Sequence, residues 1–264
     1  MTSEPTRIVV AGDWHGNTAW ALNLIRRLPE LLPGEETPLV LQLGDFGVWP
    51  GPRGDKYLRK LDRILGDVGG VLGFVDGNHE WFPALEQIPT VAGKGWLRDR
   101  IWHLRRGHRW TWHDRTWCAL GGAVSLDKAM RTEGLDWWPQ EEITPAQVHH
   151  VAHDGPVDVL VTHECPAAVL HEFPAPPSWW AAEDLVRNTQ HRVRLQTVVD
   201  EVRPGWLFHG HLHRGYHRHL PTPREGGLHV HGLDADRAAA GAWLVLNVQT
   251  MEVEQIHGAG SVRE

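Results

Sequence analysis

Five short apolar runs of this sequence each end in residue types that bind metal ions in proteins. They are followed in turn by Gly12-Asp13-Trp14-His15, Gly44-Asp45, Gly77-Asn78-His79-Glu80, Thr162-His163-Glu164 and His209-Gly210-His211-Leu212-His213. Carboxylate, imidazole and amide donors together suit borderline divalent ions such as Mn, Fe, Zn or Co. An isolated Asp-x-His is more often a turn or a helix cap. Five such motifs in order, each directly after an apolar run, indicate a metal centre.

The runs that precede the first three motifs have the pattern of buried strands. Residues 7–11, 39–43 and 71–75 are short, apolar and followed by glycine, which is typical of such strands. Helical patterns lie between them: Leu22, Ile25, Leu28 and Leu31 in the first interval, and Leu58, Leu61, Ile64 and Leu65 in the second. This alternation predicts parallel strands with crossover helices. Sites in such sheets form beyond the carboxyl ends of the strands.

The second half of the chain predicts a second sheet. Strands are expected at 117–120, 157–161, 206–208, 216–220, 228–231, 243–248 and 252–256, with those from 206 onward consecutive and antiparallel. Thr144-Pro145 predicts a helix start, because Thr caps well and Pro is favoured in the first turn. Residues 166–178 are rich in proline and alanine and predict an irregular surface loop. A helix from about Thr189 to Val202 follows.

Composition favours one soluble α/β domain that spans residues 1–264. The chain is 41% hydrophobic and 22% charged, with a net charge of −7. No apolar run reaches the roughly 18 residues of a membrane span. The negative charge argues against an extended nucleic-acid surface. Two cysteines outside any CxxC pair, and a polar N-terminus without a secretory pattern, favour a cytoplasmic protein.

The five motifs as a set resemble those of the calcineurin-like metallophosphoesterase superfamily, over residues 13–213. The resemblance implies a four-layer αββα sandwich and a centre of two divalent ions. One ion would be held by Asp13, His15, Asp45 and His213, and the other by Asp45, Asn78, His163 and His211, with Asp45 bridging. We expect manganese, with Fe, Zn, Co or Ni as alternatives, because such ligand sets accept all of them.

The resemblance also implies a mechanism. Two cations about 3.5–4 Å apart acidify a bridging water, which attacks the phosphorus as hydroxide. His79 lies inside the third motif but is not an assigned ligand; it would contact the phosphate and protonate the leaving oxygen as general acid. The alternative for His79 is an indirect role behind the ligands. Glu80 is expected to orient the Asn78 loop.

The sequence departs from the protein phosphatases of this superfamily at the second motif. Residues 44–50 read Gly-Asp-Phe-Gly-Val-Trp-Pro, without the arginine and second aspartate of their Gly-Asp-x-x-Asp-Arg-Gly pattern. This favours a phosphodiesterase acting on small or cyclic nucleotides, or a broad phosphomonoesterase, each with a small phosphate ester as substrate.

Residues 121–139 are similar to a segment of small bacterial and phage metallophosphoesterases. Arg131 is a candidate for the missing phosphate-binding arginine, and Asp127 is a further candidate contact. Trp137 or Trp138 is expected to stack on a base, which is worth roughly 1–3 kcal/mol. The alternative is that both tryptophans fill the core.

Other functions stay open from the sequence. They are a phosphatase for proteins or metabolites, a DNA or RNA nuclease, and a non-catalytic scaffold with the same fold. The complete ligand set and the presence of His79 disfavour the scaffold. A homodimer is also left open.

Overall fold

The chain forms two β-sheets that are flanked by helices. The structure, a computed structural model, describes residues 4–169 and 177–258. The strands are β1 (Arg7–Ala11), β2 (Leu39–Gln42), β3 (Val71–Phe74), β4 (Thr90–Val91), β5 (Lys94–Arg98), β6 (Ile101–Leu104), β7 (Arg109–Trp112), β8 (Arg115–Leu120), β9 (Val159–Thr162), β10 (Trp206–His209), β11 (Tyr216–Leu220), β12 (Leu228–Gly232), β13 (Trp243–Asn247) and β14 (Val253–Ile256). The helices are α1 (Thr18–Arg26), α2 (Leu28–Leu31), α3 (Gly51–Asp67), α4 (Phe82–Gln87), α5 (Pro145–His153) and α6 (Ala182–Val202), with 3-10 turns at Lys128–Met130 and Pro139–Glu141.

The first sheet has the strand order β14-β13-β1-β2-β3-β6-β5-β4. Strands β1, β2, β3 and β6 run parallel, with Val10 opposite Leu41 and Gln42 opposite Phe74. Strand β13 pairs with the other side of β1 in the antiparallel sense. The parallel arrangement brings the carboxyl ends of β1, β2 and β3 to one edge of the sheet, as the crossover helices predict.

The second sheet has the order β11-β12-β10-β9-β8-β7. Its central strands β8, β9, β10 and β12 are parallel neighbours, whereas β7 and β11 join antiparallel at the two sides. The ends of β9, β10 and β12 therefore also meet at one edge.

Successive side chains of each strand point to opposite faces of its sheet, and the two apolar faces give four layers. Val9 of β1 packs into a cluster with Ile25 of α1 and Leu61 of α3, on the outer face of the first sheet. Its neighbour Val10 points to the opposite face, as the two-residue period of a strand requires, and joins Phe208 in a cluster between the sheets. A third cluster lies between the second sheet and helices α5 and α6. The three apolar interfaces confirm the four-layer αββα sandwich.

The helices of the second half begin with recognisable signals. Thr144 caps α5, and its hydroxyl accepts from the backbone N–H of Gln147 while the Gln147 side chain accepts from Thr144 N–H. This capping box confirms the predicted helix start. Helix α6 begins at Ala182, seven residues before the predicted start at Thr189, and residues 170–176 of the predicted loop lie outside the described residues. Across the described ranges, no helix has both the length and the hydrophobicity of a membrane span.

The prediction of consecutive antiparallel strands from residue 206 onward is confirmed for the pairs β11–β12 and β13–β14 and was wrong for β10 and for the step from β12 to β13. Strands β10 and β12 are parallel neighbours, and β11 pairs with the outer side of β12. Strands β13 and β14 leave this sheet and extend the first one beside β1. Strand partners depend on which edge is free in three dimensions, so proximity in sequence misled the prediction.

Strands β4 to β7 were not predicted. Their sequences, such as Ile101–Leu104 and Arg109–Trp112, mix histidine, arginine and tryptophan and lack a continuous apolar run. They form hairpins at the sides of both sheets, where β6 is buried along its whole length and the short β4 is exposed.

We predict that Leu246→Ala destabilises the fold by about 2–5 kcal/mol, because it opens a cavity in the interface between the sheets. Leu246 of β13 is fully buried in that interface. The matched control is Leu135→Ala, since Leu135 is 65% exposed, and it should change stability by less than about 0.5 kcal/mol. Urea denaturation measures both, and equal losses would show that the sheet interface is not the main core.

Candidate metal centre

The two sheets bring all five motifs to one place. Loops after β1, β2 and β3 of the first sheet meet loops after β9 and β10 of the second. The side chains that gather there are Asp13, His15, Asp45, Asn78, His79, His163, His211 and His213. Every predicted ligand therefore lies in one cluster.

Two buried carboxylates, Asp13 and Asp45, lie at the centre of this cluster, with 0% and 2% of their surface exposed. Oδ1 of Asp13 accepts from the backbone N–H of His211 at 2.9 Å. Oδ1 of Asp45 accepts from the backbone N–H of His79, also at 2.9 Å. Each carboxylate thus ties its own loop to another motif.

One half of the cluster consists of Asp13, His15 and His213. Nε2 of His213 lies 3.0 Å from Oδ2 of Asp13, and Nε2 of His15 lies 3.9 Å from the same oxygen. These three residues form a group whose potential ligand atoms lie within 4.8 Å of one another. Nε2 of His15 also lies 3.4 Å from Oδ2 of Asp45, so Asp45 borders this half.

The other half contains His163, Asn78 and His211. Nε2 of His163 lies 3.5 Å from Oδ1 of Asp45 and 3.2 Å from Oδ1 of Asn78. The ring of His211 lies 4.9 Å from that of His163 between centroids. Asp45 thus presents one oxygen to each half, which is the position that a bridging ligand requires. Asp13, Asp45 and His163 form a second group of convergent ligand atoms.

The hydrogen bonds around His163 test whether a cation fits. Its Nδ1 lies 2.7 Å from the carbonyl oxygen of Leu43, which can only accept, so Nδ1 carries the proton and Nε2 of the neutral ring bears the lone pair. The Asn78 amide nitrogen donates to the Ser125 hydroxyl at 3.0 Å, which leaves its oxygen facing the centre. When the His163 ring is neutral, the lone pairs of His163, Asn78 and Asp45 therefore converge, and a bound cation stabilises this arrangement.

Oδ2 of Asp13 gives a second indication. This oxygen is buried, and Nε2 of His213 lies 3.0 Å from it. A buried carboxylate is costly unless its charge is compensated, which a cation shared with His213 would do. Two divalent ions fit this mixed set of nitrogen and oxygen donors.

The ligand loops hold unusual backbone conformations. His15, Asp45, His211 and His213 have φ of 45°, 53°, 63° and 48°, in the left-handed region that costs a residue with a side chain roughly 1–2 kcal/mol. Gly44 has φ of 99°, and a Cβ there would lie 2.3 Å from Nδ1 of His163. Only glycine permits this approach of the two sheets' loops.

A layer of supporting residues fixes the ligands. Glu80 is fully buried, and its carboxylate accepts from the backbone N–H groups of Phe46 and Val48 at 2.6 and 2.8 Å. It therefore orients the Asp45 loop, not the Asn78 loop to which the sequence assigned it. Burial raises the pKa of Glu80 to about 8, reinforced by the charge of Asp45 and opposed by these backbone donors.

Three further supporting groups were missed by sequence reasoning. The first is the pair Ser125 and Glu141. The Ser125 hydroxyl donates to the buried Glu141 carboxylate, and this bond holds in place the hydroxyl oxygen that accepts from the Asn78 amide. Oε2 of Glu164 lies 3.4 Å from Nε2 of His211. Such partners orient ligands and fix their tautomers.

Asp236 is the third missed group. Its Oδ1 lies 3.4 Å from Nδ1 of His15, and its backbone N–H donates to the Asp13 carbonyl at 2.9 Å. It follows the end of β12, which is parallel to β10. An acidic residue after an apolar run was therefore the signal that could have identified it.

Charge within the cluster shifts the proton equilibria of the protein without metal. Burial opposes ionisation of Asp45, but His79 and His163 hold the pKa of its carboxyl well below the usual value. Burial also disfavours protonation of His15, yet the carboxylates, Asp45 first among them, raise its pKa to about 9. Burial lowers the pKa of His79; Asp45 opposes this shift and Arg131 adds to it.

The predicted substrate contacts divide into two groups. Nη2 of Arg131 lies 2.6 Å from Nδ1 of His79, and the same guanidinium is held by the Asp127 carboxylate at 2.7 Å. Both residues therefore lie beside the centre. Trp137 and Trp138 are only 5% and 8% exposed, and neither lines a cavity at the centre. Their burial disfavours the expected stacking of a base and favours the alternative that both side chains fill the core.

A known protein family and a known fold match this chain. Residues 6–215 match the family described as calcineurin-like phosphoesterase, and the chain belongs to this family. Its fold is similar to the crystal structure of TT1561 of Thermus thermophilus, with a TM-score of 0.57, 12% identity, and 98% of this chain and 100% of that chain covered. A weaker likeness, with a TM-score of 0.42, 15% identity and coverage of 90% and 41%, is to the Thermus thermophilus sulfate thiohydrolase SoxB in complex with glycerol. Among curated proteins no match is found.

We predict that the affinity for Mn²⁺ rises with pH between 6 and 8. Below its pKa of about 9, His15 of the metal-free protein is protonated, and a metal ion must displace that proton, which costs up to about tenfold in affinity for each pH unit. Isothermal titration in buffers of different ionisation enthalpy measures both the affinity and the number of protons released. An affinity that stays constant over this range, with no proton release, would remove His15 from the ligand set.

Proposed function

We propose that the protein is a manganese-dependent phosphodiesterase that hydrolyses small nucleotide or cyclic nucleotide diesters. The observation that carries the proposal is that cavities lie on both sides of the ligand cluster. One, of about 610 Å³, is bordered by Asp45, Asn78, His79, His211 and His213. The other, of about 560 Å³, is bordered by His15 and again by His213.

Two cavities suit a phosphorus that carries two organic groups. A monoester has one such group, whereas a diester bound at the cluster has one on each side. The second cavity is polar and is lined by His15, Gly16, Asn17, Thr18, Trp49, Arg53, His213, Ala235, Asp236 and Arg237. Its two arginines favour an anionic or sugar-like group on that side.

Divalent ions, when bound, would neutralise phosphate charge and lower the pKa of a water molecule that attacks the phosphorus. Asp13, His15, Asp45 and His213 would hold one ion, and Asp45, Asn78, His163 and His211 the other. Asp45 lies between the two halves, within 3.5 Å of both His15 and His163. Manganese is our proposal for the ion, because oxygen ligands accompany the imidazoles.

His79 and Arg131 supply the remaining chemistry. The His79 side chain is 30% exposed, and its Nε2 lies 3.8 Å from Oδ2 of Asp45, so the ring borders both the cluster and the cavity. A phosphate anion beside the ring adds negative charge and raises the pKa of His79. The imidazolium then donates its proton to the leaving oxygen. The Arg131 guanidinium, held by Asp127, binds a non-bridging phosphate oxygen.

The proposed function predicts that diesters are better substrates than monoesters. Protein stripped of metal by a chelator and reloaded with Mn²⁺ should hydrolyse bis-p-nitrophenyl phosphate with a higher kcat/KM than p-nitrophenyl phosphate. Asp45→Asn should lower diester turnover by more than about 100-fold, because it removes charge from a shared ligand. Asp67→Asn, at the exposed end of α3, is the control. Turnover of the monoester alone would replace our proposal with a phosphatase.

The general-acid role of His79 predicts that its loss affects esters with a basic leaving group most. Protonation of the leaving oxygen matters most for a basic alkoxide, so His79→Ala should lower kcat for cyclic AMP by about 100- to 10,000-fold. The loss for bis-p-nitrophenyl phosphate should be much smaller, because p-nitrophenolate leaves without a proton. His150→Ala, whose side chain is 62% exposed on α5, should affect neither substrate. Equal losses for both esters would assign His79 to phosphate binding alone.

A further inference from the structure

The larger cavity at the metal-ligand cluster has a wall of apolar side chains. Beside the cluster residues, the cavity is lined by Leu126, Pro177, Trp179, Trp180, Leu185 and Leu212. A polar phosphate does not need such a surface, because it gains nothing from contact with apolar side chains. The wall therefore suits the organic part of the ester.

Trp179 is the most informative residue of this wall. It is 53% exposed, although tryptophan has a large apolar surface that gains from burial. Its ring lies 5.8 Å from that of Trp180, edge to face at 87°. About half of the Trp179 surface is therefore accessible at the cavity, and a flat ring that covers it removes apolar area from water.

The wall is held in place from the adjoining helix. Trp179 and Trp180 lie three and two residues before the first residue of α6, and Leu185 of that helix lines the same cavity. Asn188, one turn further on, also lines the cavity and donates to Oε2 of Glu164 at 2.9 Å. Glu164 in turn lies 3.4 Å from the ring of His211. The start of α6 is therefore connected to the metal-ligand cluster by one chain of polar contacts.

We propose that Trp179 and Trp180 form a stacking subsite for a nucleobase of the phosphodiester substrate. This inference rests on the proposed function and adds the residues that bind the base of the substrate. Stacking tolerates every base, because each has a π-face. The subsite therefore selects nucleotides over aliphatic phosphate esters and discriminates little among the bases.

The test compares two ligands that differ only in the base. AMP and ribose 5-phosphate share the sugar and the phosphate, so the ratio of their dissociation constants isolates the base. We expect the Mn²⁺-loaded protein to bind AMP about 10- to 100-fold more tightly than ribose 5-phosphate. Isothermal titration measures this without turnover.

Variants of Trp179 and Trp180 test whether the base binds at these residues. Trp179→Ala combined with Trp180→Ala should reduce the preference for AMP to less than about threefold, with the affinity for ribose 5-phosphate unchanged. Trp179→Phe should keep most of the preference for AMP, since phenylalanine also stacks. This single variant remains informative if the double variant does not fold. Trp96→Ala is the matched control, because Trp96 is 43% exposed but lies on β5, away from the cavity.

The outcomes separate this inference from the proposed function. Diester turnover by a protein that binds both ligands equally would overturn the subsite and leave the phosphodiesterase proposal intact. A preference for AMP that the tryptophan variants retain would also overturn it. A preference that they lose, in a protein without diester turnover, would support the subsite while overturning the phosphodiesterase proposal.

Discussion

The site depends on a set of buried hydrogen-bond acceptors that face one another at the ends of the strands. Oxygens of Asp13, Asp45 and Asn78 converge with the lone pair of the neutral His163 ring, and all four side chains are at most 3% exposed. Such an arrangement is unfavourable by itself, because like partial charges approach in a medium of low dielectric constant. A cation reverses the sign of each of these interactions. The surrounding structure holds the acceptors in place.

The two sheets divide this task between them. Loops of the first sheet contribute both carboxylates, the amide and His15, whereas loops of the second contribute His163, His211 and His213. Neither sheet has a complete ligand set for either ion. The centre therefore forms only when the apolar faces pack, with Val10 of β1 and Phe208 of β10 in one buried cluster between the sheets. Metal affinity and the stability of the sheet interface are consequently coupled, since an ion that binds only the folded chain stabilises it.

The supporting residues explain how strained loops persist. Four ligands have left-handed backbone conformations, and this strain must be offset by other contacts. Glu80 binds the backbone after Asp45, Ser125 and Glu141 fix the Asn78 amide, and Asp236 lies against His15. Each of these groups is placed by a different segment of the chain. The geometry of the centre is therefore determined by the packed layers, and the cavities on its two sides determine which esters reach it.

The sequence by itself determined the class of site and most of the strands that form it. The motifs at 13–15, 44–45, 77–80, 163 and 211–213 follow apolar runs, and both the ligand chemistry and the two-residue or 3.6-residue periods are local properties. The resemblance to the calcineurin-like family, carried by the same motifs, implied the αββα fold. Tertiary structure decided what local patterns do not contain. It paired β10 with β12 and moved β13 and β14 to the first sheet. It also buried Trp137 and Trp138 while exposing Trp179 at the cavity, because the environment of a side chain is set by elements that are distant in sequence and meet it only when the layers pack.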